Sequence, residues 1–300
     1  MTFETSELHH ILPSRKAEQT IEWVVGELEG EGIPTARGDA EIIVGHVLGL
    51  TRAEVQDGAA TGRELDGEQL ATVLDFTARR KQREPLQYLT GISLFRGIVL
   101  KVGPGVFIPR RETEYVTELA VQALRAAGVE DAVAVDVGAG AGAIALSIAD
   151  EVPGSTVYGI EIEASAHEWM ERNFRELAPG RSHAILGDMV GALPELDGRV
   201  DIVAGNPPWV PDGRVSPTPE VALFEKGARL YGGGADGLDV MRGLSRTALR
   251  WLKPGGTFIT EHGISMGPQV RALLEADGWA DVRTHVDPRG KERMTTAVRP

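Results

Sequence analysis

The tetrapeptide Asn206-Pro207-Pro208-Trp209 combines residue types that suit it to hold a planar NH2 group. Proline has no N–H and fixes φ near −65°, and the residue before a proline is pushed into the extended region. Asn206 and Pro207 should therefore be extended, with backbone carbonyls facing outward. The Asn206 side chain adds an amide oxygen as a further acceptor. A primary amide or exocyclic amine can donate its two N–H bonds to such oxygens, and Trp209 can stack on the flat group.

The position of the tetrapeptide favours a role in binding. It follows an apolar run at 200–204 that predicts a buried strand ended by Gly205. In alternating strand–helix folds, ligands bind at the carboxyl ends of strands. The alternative is that the prolines only terminate the strand and Trp209 packs in the core, and the strand–helix context weighs against it.

A glycine-rich loop ends an earlier predicted strand, with the sequence Asp136-Val137-Gly138-Ala139-Gly140-Ala141-Gly142. Its glycines allow a tight turn and let a ligand approach bare backbone. The helix that follows offers unpaired N–H groups and a positive dipole end. Glu161 ends the next strand about 20 residues later, where a carboxylate can accept from both hydroxyls of a ribose.

The residues alone leave two points open about this predicted site for a nucleotide-like cofactor. NAD enzymes and S-adenosylmethionine enzymes share such loops, so the loop alone does not name the cofactor. Asp188 follows a predicted strand at 183–186 and is placed either at an adenine edge or as a helix N-cap.

Composition bounds the class of protein. A chain of 300 residues exceeds what one core usually organises, so two domains are expected. With 42% hydrophobic and 25% charged residues, no apolar run of about 18 residues and no basic-then-apolar leader, the chain is expected to be a soluble cytoplasmic protein with no membrane partner. It contains no cysteine, which excludes disulfides, thiol nucleophiles and Cys-ligated zinc, and no metal site is predicted.

The net charge of −13 argues against direct nucleic-acid binding, which draws on Lys and Arg to neutralise phosphates. The best local candidate for a basic groove is the run Arg79-Arg80-Lys81-Gln82-Arg83. The favoured alternative for this run is a solvated helix end, where cations complement the C-terminal dipole.

The hydrophobic pattern changes along the chain. Residues 14–83 predict helices without strands: one carries Ile21, Val24, Val25 and Leu28 and stops at Gly30-Glu31-Gly32, a second lies near 40–48 and a third covers 65–83. Residues 92–107 are rich in β-branched and aromatic residues punctuated by glycine, which predicts a hairpin. The predicted domains are a helical one at 1–90, a hairpin linker at 91–110 and an α/β domain at 111–300.

From residue 112 onward, strands and helices alternate. Predicted strands lie near 132–137, 156–161, 183–186, 200–204 and 257–261, and predicted helices near 112–127, 143–149, 164–177 and 239–252. The last segments, 282–287 and 293–298, predict two strands joined by a turn. This alternation is typical of a mostly parallel, Rossmann-like sheet with helices on both faces, here with an antiparallel edge.

The loop at 136–146 together with Asn206-Pro207-Pro208-Trp209 resembles the class I S-adenosylmethionine-dependent methyltransferases. More narrowly, the chain resembles the protein-(glutamine-N5) methyltransferases that modify peptide-chain release factors. The supporting segments are Pro85-Leu86-Gln87-Tyr88-Leu89-Thr90-Gly91, Phe107-Ile108-Pro109-Arg110-Arg111-Glu112-Thr113-Glu114 and Gly233-Gly234-Ala235-Asp236-Gly237-Leu238-Asp239.

The resemblance implies a helical N-terminal domain that helps to grip a release factor and a seven-stranded catalytic domain. It implies S-adenosylmethionine as cofactor and S-adenosylhomocysteine as product. It implies that Asn206, Pro207, Pro208 and Trp209 hold the glutamine amide. The residues expected to contact the cofactor are Gly138, Ala139, Gly140, Ala141, Gly142, Glu161, Asp188, Met189 and Asn206.

Three positions depart from the family pattern. Trp209 stands in place of the usual tyrosine, Arg111 in place of a proline, and Met266 in place of a glutamine after Glu261-His262-Gly263. These departures bear on the choice of substrate more than on cofactor or reaction type.

The expected reaction is an in-line displacement. Hydrogen bonds to Asn206 Oδ1 and the Pro207 carbonyl favour charge building on the substrate nitrogen. No general base is assigned, and the hypothesis is that the proton leaves late, to water. Two alternatives stay open: an adenine or cytosine amino-methyltransferase of nucleic acid, in which Trp209 stacks on a flipped base, and a cofactor-binding homologue without transfer activity.

Overall fold

The computed structural model describes residues 13–225 and 230–300, which divide into a unit ending at Gly91 and a unit from Ile92 to Pro300. The described part of the first unit is helical. Its helices are α1 (Ala17–Gly30), α2 (Ala36–Leu48), α3 (Arg52–Gln56), α4 (Gly67–Lys81) and α5 (Leu86–Thr90). The three long helices agree with the sequence pattern. The five-residue helices α3 and α5 are too short to show a helical period, so they were not predicted.

The first unit has its own apolar core, built from the faces of α1, α2 and α4. Leu28, Ile43 and Val73 are fully or almost fully buried in it. Local sequence fixes where helices begin and end. Asp66 and Gln69 form a capping box that starts α4, and Gly49 ends α2 in the left-handed conformation.

The basic run at 79–83 has its partners inside this unit. Arg80 donates to Asp39 Oδ2 at 2.8 Å, and both side chains are less than one-tenth exposed. The other contacts join Arg79 to Glu84 at 2.6 Å, Lys81 to Glu27 at 2.6 Å, and Arg83 to the carbonyl oxygens of Glu31 and Gly32. The run does lie at the end of α4, but these cations stabilise the helical unit and do not line an open basic groove.

The second unit begins with the predicted hairpin, β1 (Ile92–Phe95) and β2 (Ile98–Lys101), paired antiparallel. The pairing ends at Lys101, earlier than the expected residue 107. Pro104, which has no N–H to donate to a ladder, and Gly105, at φ +98°, lie in a turn just beyond it. The hairpin is part of the second unit and not a separate linker between the two.

The second unit is organised by a seven-stranded sheet of order β5-β4-β3-β6-β7-β9-β8. Strands β3 to β7 are parallel, and β9 runs antiparallel to both β7 and β8, which confirms the predicted fold class. The strands are β3 (Val133–Val137), β4 (Thr156–Glu161), β5 (Ser182–Leu186), β6 (Val200–Gly205), β7 (Leu252–Glu261), β8 (Ala280–Val286) and β9 (Glu292–Val298).

Helices cover both faces of this sheet. They are α6 (Glu114–Ala127), α7 (Ala143–Glu151), α8 (Ala164–Leu177), α9 (Pro219–Phe224), α10 (Asp239–Trp251) and α11 (Gly267–Ala276). One core cluster joins the sheet to α6, α7 and α8, and another joins it to α10 and α11. Two helices lack a hydrophobic period that would predict them from the sequence: α9 buries no residue, and the buried apolar residues of α11 are only Val270 and Leu274. Within residues 13–225 and 230–300, no helix combines the length and apolarity that crossing a membrane requires.

Strand order reverses between β3 and β6. The chain runs outward from β3 through β4 to β5, then crosses back so that β6 pairs with the other edge of β3. Ligands of open α/β sheets bind at such a switch point, outside the carboxyl ends of the strands. The fold thereby brings the loop after β3 and the tetrapeptide after β6 to the same place.

Candidate active site

The switch point opens into a cavity of about 1020 Å³. Its two central strands end in register, with Val137 opposite Gly205. A Cβ atom on Gly205 would lie 2.5 Å from the Val137 carbonyl oxygen, so only glycine permits this approach. The loops that follow therefore leave the sheet side by side.

Nearly all of the residues predicted for the site line this cavity. They are Gly138, Ala139, Gly140, Ala141, Glu161, Asp188, Met189, Asn206, Pro207, Pro208 and Trp209. Gly142 differs from the expectation, because the structure places it outside the described lining. It caps α7 at φ +85°, and a Cβ there would meet Phe174 Cε1 of α8 at 2.5 Å. Helix packing therefore accounts for this glycine.

The Glu161 carboxylate is tied to the glycine loop. Its Oε2 accepts from the Gly140 N–H at 3.0 Å and its Oε1 from the Glu163 N–H at 2.9 Å. Burial raises the pKa of Glu161, and these backbone N–H groups oppose the shift. Each carboxylate oxygen can accept more than one hydrogen bond. Glu161 can therefore hold the loop and still accept from a ligand in the cavity that it lines.

Asp136 is a buried acid whose second oxygen lacks a protein partner. Its Oδ2 accepts from the Ala145 N–H at 3.1 Å, and its Oδ1 has no hydrogen bond to any described residue. Burial raises the pKa of Asp136 to about 7. A buried acceptor without a partner is costly, and a hydrogen-bond donor of a ligand would satisfy it. Asp136, Glu161 and Asp188 thus supply acceptors for a ligand rich in hydroxyl and amino groups.

The raised pKa of Asp136 predicts how stability depends on pH. Between its ordinary pKa of 3.8 and about 7, the folded protein keeps a proton that the unfolded chain has lost. The contribution of this group to the free energy of unfolding should therefore fall as the pH rises through that range. We expect the wild type to lose thermal stability relative to Asp136→Asn as the pH rises from about 4 to about 7. If the melting temperatures of the two proteins changed equally with pH across this range, the raised pKa assigned to Asp136 would be contradicted.

Asp188 closes a turn after β5. Its Oδ1 accepts from the Val190 N–H at 2.8 Å, two residues on, and no α-helix begins there. The helix N-cap alternative is therefore wrong. The side chain is exposed at the mouth of the cavity, next to Met189.

The Asn206 side chain is oriented by two residues that the sequence analysis did not assign to the site. Asn206 Nδ2 donates to Thr113 Oγ1 at 3.3 Å, and the Thr113 hydroxyl donates to Glu261 Oε2 at 2.7 Å. This leaves Asn206 Oδ1 free of Thr113. None of the hydrogen bonds between described residues ends on the Pro207 carbonyl. Asn206 Oδ1 and the Pro207 carbonyl thus accept no hydrogen bond from a described residue, and both residues line the cavity.

A glycine-rich segment at 232–237 supports the backbone of the tetrapeptide. The Val210 N–H donates to the Leu230 carbonyl at 2.8 Å, and the Gly232 N–H donates to the Val210 carbonyl at 3.0 Å. A Cβ on Gly232 would lie 2.7 Å from the Pro208 carbonyl oxygen. A Cβ on Gly237 would overlap the Trp209 carbonyl oxygen. This contact explains why Gly237 of the family-like segment at 233–239 is a glycine.

Gly237→Ala should therefore disturb the tetrapeptide. Overpacking of this kind typically costs about 1–3 kcal/mol, and we expect a lower melting temperature together with weaker activity of the site. Gly198→Ala is the matched control, because Gly198 has φ +70° against +73° for Gly237 but no atom within 4 Å of its Cβ position. Equal effects of the two changes on thermal melting and on activity would assign the loss to backbone strain alone.

Trp209 and Met266, two of the three departures from the family pattern, lie next to each other. Measured from an ideal Cβ on Gly263, Met266 Sδ lies at 2.9 Å and Trp209 Cε3 at 3.2 Å. Both side chains also line a second cavity of about 470 Å³. The larger indole thus has a flexible thioether as neighbour. Arg111, the third departure, is exposed in the 3-10 turn Arg111–Thr113.

Comparison with known proteins places the chain. The family model described as the PrmC N-terminal domain matches residues 19–91, and the methyltransferase small domain matches residues 97–235. A release factor glutamine methyltransferase of Streptomyces coelicolor is 41% identical, covering 90% of this chain and 93% of that protein. A 4-amino-L-phenylalanine/4-methylamino-L-phenylalanine methyltransferase of Streptomyces pristinaespiralis is 33% identical, covering 94% of each.

Among solved structures, the 16S rRNA N2 G1207 methyltransferase RsmC of T. thermophilus, in complex with AdoMet and guanosine, aligns with a TM-score of 0.52. It is 24% identical and covers 70% of this chain and 50% of that one. This likeness shows the fold alone. The matches to the curated relatives extend over both units, and the chain belongs to the release factor glutamine methyltransferase family.

Proposed function

We propose that this protein transfers a methyl group from S-adenosylmethionine to the side-chain amide nitrogen of a glutamine in a peptide-chain release factor, and releases S-adenosylhomocysteine. One observation carries the proposal: Thr113 engages the Asn206 amide nitrogen, so that Asn206 Oδ1 and the Pro207 carbonyl remain as acceptors at the cavity. Two acceptors suit the two N–H bonds of a carboxamide. The names of the relatives that match both units support the same acceptor.

The cavity suits an adenosyl cofactor. Its glycine loop presents bare backbone, and the acids Asp136, Glu161 and Asp188 offer acceptors to amino and hydroxyl groups. When bound, S-adenosylmethionine supplies an electrophilic methyl group on a sulfonium. The protein holds the two binding loops in contact, since a Cβ on Gly138 would lie 3.7 Å from Pro207 Cα. Groups bound on the two loops are therefore neighbours.

The residues of the chain orient the substrate amide and supply acceptors for its N–H bonds. An amide nitrogen is a poor nucleophile while its lone pair is delocalised, and acceptors for both N–H bonds favour charge building on that nitrogen. A near-attack arrangement of reacting groups can supply about 7–11 kcal/mol. Trp209 lines the same cavity, where its ring can cover one face of the amide. Within this proposal the proton leaves late, to water, and the helical unit contributes to recognition of the release factor.

A second acceptor is favoured by one of the relatives. The Streptomyces pristinaespiralis protein is named for methylation of an arylamine amino acid. An aromatic amine also donates two N–H bonds, and its ring would stack on Trp209. This acceptor is tested beside the release factor.

The test is incubation with methyl-labelled S-adenosylmethionine and either purified release factor, 4-amino-L-phenylalanine or tRNA. Mass spectrometry of the digested release factor should place the label on the side-chain amide of a single glutamine. Label on 4-amino-L-phenylalanine or tRNA, with none in the release factor, would overturn the proposed acceptor. Cofactor binding without transfer to any of the three would indicate a homologue that has lost activity.

A further inference from the structure

We propose that Thr113 and Glu261 are positioning residues that lock the Asn206 amide with its oxygen toward the substrate. The inference rests on the proposed function, since it concerns how the same acceptor pair is kept ready. It gives a role to two family-like segments, 107–114 and 261–263, that the reaction itself does not use.

The orientation of the Asn206 amide is fixed by which of its neighbours have a hydrogen to donate. A threonine hydroxyl has one hydrogen to donate, and Thr113 donates it to Glu261 Oε2 at 2.7 Å. The Thr113 oxygen can then only accept, and it accepts from Asn206 Nδ2 at 3.3 Å. If the amide turned over, Asn206 Oδ1 would face the Thr113 oxygen, with no hydrogen between two acceptors. These two hydrogen bonds form a relay from Glu261 through Thr113 to Asn206. The relay therefore excludes the flipped amide.

Burial makes this exclusion strong. Thr113 and Glu261 lie in the wall of the cavity but are only 5% and 2% exposed, so little of either residue is open to a water molecule that could supply a missing hydrogen. The prolines fix the backbone around Asn206 but not the rotation of its terminal amide. A flipped amide would point its own NH2 group at an incoming NH2 group. Without the relay, a fraction of the protein would thus present a donor where an acceptor is needed.

Charged groups surround the Glu261 carboxylate on several elements. Arg110 pairs with Glu225 at 2.6 Å, and Arg293 of β9 pairs with Glu112 at 3.0 Å and with Asp287 at 3.3 Å.

Burial raises the pKa of Glu261 to about 7, and the hydrogen bond from Thr113 opposes this shift. The charge of Glu112 raises the pKa of Glu261 further, whereas the charges of Arg293 and Arg110 lower it. The neighbouring His262 is buried and bonds to Thr295 Oγ1, and burial lowers its pKa.

Protonation of Glu261 would loosen the lock. A protonated carboxyl can donate to the Thr113 oxygen, which frees the Thr113 hydrogen to bond Asn206 Oδ1 in the flipped amide. The population with the productive amide should therefore rise as the pH rises through about 7. Methyl transfer should follow the same rise.

Thr113→Val and Thr113→Ser test the relay in the full-length protein. The valine variant keeps the shape but loses the hydroxyl, and we expect kcat to fall about tenfold, with KM for the cofactor little changed. The serine variant keeps the hydroxyl and should recover most of that loss. Glu261→Gln keeps an acceptor oxygen but cannot ionise, so it should flatten the rise of kcat near pH 7. A valine variant as active as the wild type, or a serine variant as impaired as the valine variant, would overturn the proposal.

A second measurement does not need turnover. In ¹⁵N-labelled protein, the side-chain NH2 signal of Asn206, assigned by its loss in Asn206→Ala, should exchange slowly with solvent in the wild type and the serine variant. It should exchange faster in the valine variant. Equal exchange in wild type and valine variant would overturn the relay. Failure of the wild type to methylate any release factor would instead overturn the proposed function and leave this comparison to decide the relay.

Discussion

Changing the acceptor glutamine of the release factor to glutamate will abolish methylation, with kcat/KM falling by about 10⁴–10⁵. A glutamate carboxylate would set an oxyanion against Asn206 Oδ1 and the Pro207 carbonyl, both of which are acceptors. No hydrogen would lie between any pair of these oxygens. Sites built to receive a donor discriminate this strongly because their own polar groups are otherwise left unpaired.

The matched control is an asparagine acceptor, which keeps both N–H donors and loses one methylene. It should react more slowly than glutamine and far faster than glutamate. Label incorporation is measured for the three release factors under single-turnover conditions, and competition against the glutamine form checks that each one docks. Appreciable methyl transfer to the glutamate form would contradict the model of two paired acceptors.

The elements that bring the site together could be predicted from local sequence. Helix α8 spans the predicted 164–177, and strand β4 spans the predicted 156–161. In both elements the apolar residues are spaced regularly enough for the sequence to predict a helix or a strand. The parallel arrangement of β3 and β6 followed from the alternation of strands and helices, and it places both loops at one edge of the sheet.

The relay behind Asn206 could not be predicted in the same way. Thr113 and Glu261 are 148 residues apart in sequence and meet only because β7 lies next to β6 and the turn before α6 reaches that edge. A buried acid at the end of a strand has no periodic signature. The available signal was that both residues lie in segments resembling the family, without a role attached to either.

Glycines and cations show a second limit of sequence reasoning. Gly142 was assigned to the cofactor by its place in the loop, yet the contact that requires glycine there is with Phe174 of α8. Arg80 was part of a candidate basic surface, yet it is buried against Asp39. In each case the deciding partner comes from another helix, and local sequence carries no information about which residue that will be.

Replacing Asn206 with alanine should lower kcat about 10²–10³-fold, the range seen when one polar group that stabilises a transition state is removed. Alanine removes one of the two acceptors for the substrate N–H bonds and leaves the Pro207 carbonyl in place. Affinity for S-adenosylhomocysteine should change much less, because the glycine loop and the carboxyl groups of Asp136, Glu161 and Asp188 are untouched.

Asn206→Asp separates the two functions of this side chain. Aspartate keeps an acceptor oxygen but cannot donate to Thr113, and it adds a charge near the buried Glu261. Its activity should therefore lie between those of the wild type and the alanine variant. Single-turnover methyl transfer and calorimetric binding of S-adenosylhomocysteine measure the two effects separately. Full activity of the alanine variant would remove Asn206 from the site, whereas a parallel loss of cofactor affinity would assign its main contact to the cofactor and not to the glutamine amide.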